Sequence, residues 1–100
     1  MKSLKIALDY DETFTEDKAF WWSFIDLARS HHHLVSFVTY RTDNDCDNNS
    51  DIEYDAKKCG IPVVYSWCKP KRSVFDADIW IDDSPATIED YHLSNGDADD

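Results

Sequence analysis

An α/β domain built on a parallel sheet is what this chain predicts. Short apolar runs of strand character alternate with amphipathic stretches of helical period, in the order β-α-β-α-β-(α)-β-α. Polar and acidic residues stand directly after several of those runs. The most telling junction is Asp9-Tyr10-Asp11-Glu12-Thr13, where the apolar run Leu4 to Leu8 hands over to its loop. Open α/β sheets hold their ligands at that carboxyl edge.

The elements follow in chain order. Ser3 to Leu8 reads as a strand, with Leu4, Ile6 and Leu8 on one face and the small Ala7 on the other. Thr13 or Thr15 can cap the next helix, with Glu16 and Asp17 in its first turn. Phe20, Trp21, Phe24, Ile25, Leu27 and Ala28 recur at helical spacing, and Arg29 to His31 suits the negative pole. Leu34 to Tyr40 is β-branched and aromatic, a second strand buried on both faces. A polar loop, Thr42 to Ser50, leads to a helix over Asp51 to Cys59, with Gly60 at its C′ position. Ile61 to Trp67 predicts a third strand with Pro62 near its start, and Lys69 to Asp76 has room for a turn and one or two helical turns. Asp78 to Ile81 is a very short fourth strand. Ser84-Pro85 then opens a last short helix, capped by Ser84, over Pro85 to Asp90. Residues 1–94 form one domain, and Asn95 to Asp100 reads as a disordered acidic tail.

Composition narrows the function. The net charge of −11, from 21 acidic and 10 basic residues, repels phosphate backbones and disfavours bulk nucleic-acid binding. A small anionic substrate beside a divalent cation remains compatible. Cationic side chains cluster locally at Lys69, Lys71 and Arg72, preceded by Lys57 and Lys58. Met1 to Leu8 is too short for a secretory leader, and no apolar stretch approaches the ~18–20 residues of a membrane span. Cys46, Cys59 and Cys68 are odd in number and lack a C-x-x-C pair, so reduced thiols in a cytoplasmic protein are expected.

On a parallel sheet each strand delivers its following residues to one rim. The first brings Asp9 and Asp11, the second Thr39 and Arg41, and the fourth Asp82 and Asp83. The loop after the third brings Lys69, Lys71 and Arg72. Carboxylates for attack, proton transfer and metal binding, with donors for phosphoryl oxygens, are what transfer through an aspartyl-phosphate requires.

That ordered set resembles the haloacid dehalogenase superfamily of phosphohydrolases, in a minimal, capless form. Asp9-x-Asp11-x-Thr13 matches the family's first motif, and Thr39 at a strand end the second. A Lys before the last strand matches the third, with Lys71 preferred and Lys69 the alternative; Asp82-Asp83 after Ile79-Trp80-Ile81 matches the fourth. The ending Ile-Asp-Asp-Ser-Pro is similar to that of small phage and bacterial members, some grouped with deoxyribonucleotidases. The resemblance implies a three-layer α/β/α plan with sheet order 3-2-1-4. It implies Asp9 as nucleophile and Mg²⁺ ligand, and Asp11 as general acid/base whose backbone carbonyl also faces the metal. Thr39 would bind the phosphoryl group, with Arg41 and Lys69 as further cations on the substrate side. Lys71 would stabilise charge, Asp82 and Asp83 would complete the metal site, and Thr13 would brace the loop.

Three departures from the family stand out. Glu12 occupies a place where many members have Gly, the stretch after Asp11 is too short for the usual flap, and Lys71 to Asp78 is short. No insertion could form a cap, so the expected site is open to water and to large substrates. The implied function is Mg²⁺-dependent hydrolysis of a phosphate monoester, with a nucleotide or nucleic-acid end as the substrate class. The alternative is a non-catalytic acidic binding protein that keeps the fold and the metal site. A response-regulator receiver orders its motifs differently, and no Asp follows Ile61 to Trp67 here.

Other features read as ordinary structure. Consecutive side chains diverge, so His31-His32-His33 suits a helix end better than one metal ion. The run Asp43 to Asp47 lacks the Gly and Glu of a calcium loop, since Asn48 and Tyr54 stand there. Trp21, Trp22, Trp67 and Trp80 are expected mostly in the core.

Overall fold

The computed structural model describes residues 2–43 and 48–89. Its strands are β1 (Lys5–Leu8), β2 (Leu34–Thr39), β3 (Val63–Tyr65) and β4 (Ile79–Ile81), and its helices are α1 (Lys18–Ser30) and α2 (Ser50–Cys59). The four strands form one sheet in the order β3-β2-β1-β4, with every pairing parallel. This is the expected order. Register aligns the strand ends: Leu8 pairs with Phe37 and Ile81, and Thr39 with Tyr65. The residues that follow each strand therefore emerge along one rim.

Alternation in β1 and β2 builds the core. Ile6, Leu8, Val35 and Phe37 meet Ile25 and Ala28 of α1 and Ile52, Ala56 and Cys59 of α2. Tyr10 and Phe14 join them fully buried, although both lie in the loop after β1. Their rings stack at 5.5 Å between centroids, and each meets Phe37 edge-on. On the opposite face Ala7 and Val38 pack against Ala77, with Phe75 and Trp80 alongside.

Both α-helices thus share one face of the sheet. The order explains why, since β1 to β2 to β3 advances in one direction, and β4 reverses it to pair with β1. Right-handed crossovers then send the last connection over the other face. That connection, residues 66–78, forms a 3-10 turn at Lys71–Ser73 and no longer helix. Coverage by regular helices on both faces is therefore not found among the described residues.

Local chemistry sets the ends. A 3-10 turn at Phe14–Glu16 delays α1, so its cap is Asp17, whose carboxylate accepts from Phe20 N–H at 3.1 Å, rather than Thr13 or Thr15. The apolar stripe of α1 is wider than the sheet it meets, and Phe20 and Leu27 stay exposed. Gly60 ends α2 at φ 74°, the left-handed conformation expected of it. Among the described residues after β4, a 3-10 turn forms at Pro85–Thr87, without a side-chain cap from Ser84. The continuation to Asp90, the tail 95–100 and residues 44–47 of the polar loop lie outside the described residues. No helix among the described residues is long and apolar enough to cross a membrane.

Candidate active site

The sheet itself positions Asp9. Its backbone N–H donates to Ile81 O at 2.9 Å, which extends the β1–β4 ladder one residue past the end of β1. Its carboxylate is buried, and Lys71 Nζ donates to Asp9 Oδ1 at 2.9 Å and to Asp82 Oδ2 at 2.6 Å. A lysine that is 2% exposed must be paired, and Lys71 is paired twice. Lys69 is exposed and does not line the cavity described below, so Lys71 is the lysine of the site.

Three further contacts fix the carboxylates. Thr13 Oγ1 donates to Asp9 Oδ2 at 3.1 Å and lies 3.4 Å from Asp83 Oδ1, the bracing role expected of it. Ser84 N–H donates to Asp82 Oδ1 at 2.9 Å. Oxygens of Asp9, Asp82 and Asp83 all lie within 4.8 Å of one another. Burial, and then a hydrogen bond with Asp83, push the Asp9 carboxyl from 3.8 up to about 7, against the pull of Lys71. Three crowded carboxylates beside one ammonium leave a local charge deficit that a hard divalent cation would fill, through oxygen donors alone. The site's residues fit such an ion. The Asp11 carboxylate stands outside that triad.

A cavity of about 130 Å³ opens at this rim, lined by Asp9, Asp11, Thr39, Lys71, Asp82 and Asp83 together with Glu12, Tyr40, Ser84 and Thr87. Small-molecule pockets run to roughly 300–1,000 Å³. A phosphoryl group and an ion suit this volume, and the rest of a substrate would stay outside. Thr39 is the buried last residue of β2, and its Oγ1 accepts from Arg41 N–H at 3.3 Å. Glu12 holds φ 63°, the left-handed region that glycine occupies without strain, and adds a carboxylate to the lining.

Arg41 is placed otherwise than a substrate-side cation would be. Its Nε and Nη2 donate to both oxygens of Asp11, at 3.0 and 2.7 Å. Nη1 and Nη2 donate to Asp51 at 2.8 and 3.1 Å, and Nη1 also reaches Asn48 O and Asn49 Oδ1. The hydrogen bonds from Asp51 and Asp11 hold the guanidinium above its usual range and fully charged. Its plane lies against Tyr10, with Cζ 5.5 Å from the ring centroid.

Tyr10, Asp51 and Asp55 belong to the site's support and carry no motif. Tyr10 Oη donates to Asp55 Oδ2 at 2.5 Å, and Lys18 Nζ pairs with the same oxygen at 2.9 Å. Burial, with Asp55 next, raises the Tyr10 hydroxyl and keeps it a donor. One signal was present in the sequence: Asp55 falls on the stripe of Ile52, Ala56 and Cys59, the buried face of α2. The histidine run serves structure, since His33 Nδ1 accepts from Leu4 N–H and no second group of metal-ligating side chains occurs among the described residues. Trp67 is exposed in the loop after β3, and Trp21, Trp22 and Trp80 are partly buried against the two core clusters.

No protein-family model matches the chain, and no curated protein or solved structure does.

Proposed function

We propose that the chain is a minimal, capless phosphohydrolase of the haloacid dehalogenase type, hydrolysing phosphate monoesters with Mg²⁺. In this reading the connection over residues 66–78 stands for the second helical layer of a three-layer α/β/α domain. The observation that carries the proposal is Lys71 buried between Asp9 and Asp82, on the rim that also presents Asp11 and Thr39. A bare acidic turn would need neither the buried ammonium nor the strand-end hydroxyl.

The residues divide the work as follows. An Asp9 carboxylate oxygen bonds to phosphorus while the ester P–O bond breaks, and the leaving oxygen takes a proton from Asp11. Water then attacks phospho-Asp9 and gives its proton to Asp11, and the Asp9–phosphorus bond breaks to release phosphate. Lys71 offsets the charge that builds on the nucleophile and the phosphoryl oxygens, and the Thr39 hydroxyl donates to that group. Mg²⁺ held by Asp9, Asp82 and Asp83 would neutralise phosphoryl charge. The small cavity and open rim suit a substrate whose bulk stays outside, such as a nucleotide or a nucleic-acid end. Free Cys59 and Cys68 fit a reducing, cytoplasmic setting.

The test is hydrolysis of p-nitrophenyl phosphate with Mg²⁺, with EDTA, and by Asp9→Asn. Turnover that needs the metal and disappears in the variant is the expected result. Full activity in Asp9→Asn would refute the mechanism. The second reading, a non-catalytic binding protein, has one observation in its favour, the extra negative charge that Glu12 brings to the cavity. Mg²⁺ binding without turnover on any phosphoester would select it.

A further inference from the structure

Asp11 is half-exposed on a short loop, and nothing in that loop's own backbone fixes its side chain. Arg41 does. We infer that Arg41 is a positioning residue for Asp11, held by Asp51 of α2, and that it acts in the hydrolysis of phospho-Asp9 and not in substrate binding. The inference rests on the proposed function and names a role that function leaves open.

Three observations carry it. All five N–H donors of the guanidinium already have protein partners, so none remains for a phosphate oxygen. The contact with Asp11 is bidentate, which fixes the plane of the carboxylate as well as its distance. Asp11 lines the cavity whereas Arg41 does not. The Arg41 side chain is only 18% exposed, its guanidinium gripped on the far side by Asp51 and lying against the Tyr10 ring. Tyr10 is tied in turn to Asp55, so α2 locates the loop after β1 through two of its own carboxylates. This arrangement sets where a base for water stands, and misplacing a catalytic group by about 1 Å can cost ~10²-fold in rate.

p-Nitrophenyl phosphate separates the steps. Its leaving group departs without a proton, so kcat/KM reports attack by Asp9 and kcat reports the breakdown of phospho-Asp9. Arg41→Met should lower kcat and KM together, by up to ~10²-fold, with kcat/KM little changed and phospho-protein accumulating at steady state in the intact mass. Arg41→Lys keeps the charge without the planar fork and should not restore kcat. Asp51→Asn, outside the cavity, should shift kcat in the same direction with the fold intact by circular dichroism. A raised KM at unchanged kcat in Arg41→Met would assign Arg41 to substrate binding and overturn the inference. Unchanged kinetics in all three variants would overturn it too. Absence of turnover by the unmodified protein would instead defeat the proposed function, and this inference with it.

Discussion

Without metal, this protein should lose stability as pH rises from about 4 to about 7, through Asp9. Its carboxyl titrates at about 7 in the folded chain against an ordinary 3.8. The folded state therefore holds a proton that the unfolded state has released, and stability falls with pH across that window. A displacement of about three pH units, at about 1.4 kcal/mol each, sets the loss at no more than about 4 kcal/mol. Domains are stable by only ~5–15 kcal/mol, so the effect is large enough to measure. Asp51 and Asp78 are shifted downward, so their contributions fade as pH falls, opposite in sign to that of Asp9, and they cancel in the comparison with the variant. The assay is urea unfolding in EDTA from about pH 4 to about pH 8, with Asp9→Asn as the reference that lacks the titrating group. The unmodified protein should lose ground to the variant as pH rises, and saturating Mg²⁺ should restore it above neutrality. Parallel stability curves for the two proteins in EDTA would show that burial and Asp83 do not hold the Asp9 carboxyl up, and would refute the reasoning.

Two further substitutions test the frame around the site. Lys71→Met leaves Asp9 and Asp82 buried without their shared cation. It should cost about 3–5 kcal/mol by urea unfolding in EDTA at neutral pH, and a smaller loss with Mg²⁺ present is expected. Gly60→Ala forces a side chain into φ 74° and sets Cβ 2.8 Å from Arg29 Nη1, the group that caps α2 through Cys59 O. A fall of about 1–2 kcal/mol is expected, and an unchanged melting temperature would contradict the strain.

The strands, the cap at Gly60 and the rim that gathers Asp9, Asp11, Thr39 and Asp82 were legible because each rests on local pattern, whereas the strand order came from the resemblance. Apolar runs and the acidic residues behind them need no knowledge of the third dimension. What was hidden depends on contacts between distant residues. Arg41 meets Asp11 across 30 positions, and nothing in either neighbourhood marks the pair. Tyr10 carried no reading of its own in the sequence, yet its ring fills the core beneath the loop. Among the described residues the second face carries no helix longer than the 3-10 turn in residues 66–78, and that depends on how the connection packs and not on its local pattern. The cap of α1 was displaced by a 3-10 turn, since Thr13 was already committed to Asp9.

The borders of the sheet are its shortest strands. β3 and β4 have three residues each and leave few unpaired backbone groups along the outside. Pro62 precedes one, and Asp78 and Asp82 bracket the other. Another chain that tried to add itself there would find little to bond with. The same brevity that keeps the domain small thus guards it against aggregation. By that logic, the variants most prone to fibres would be those that lengthen a border strand.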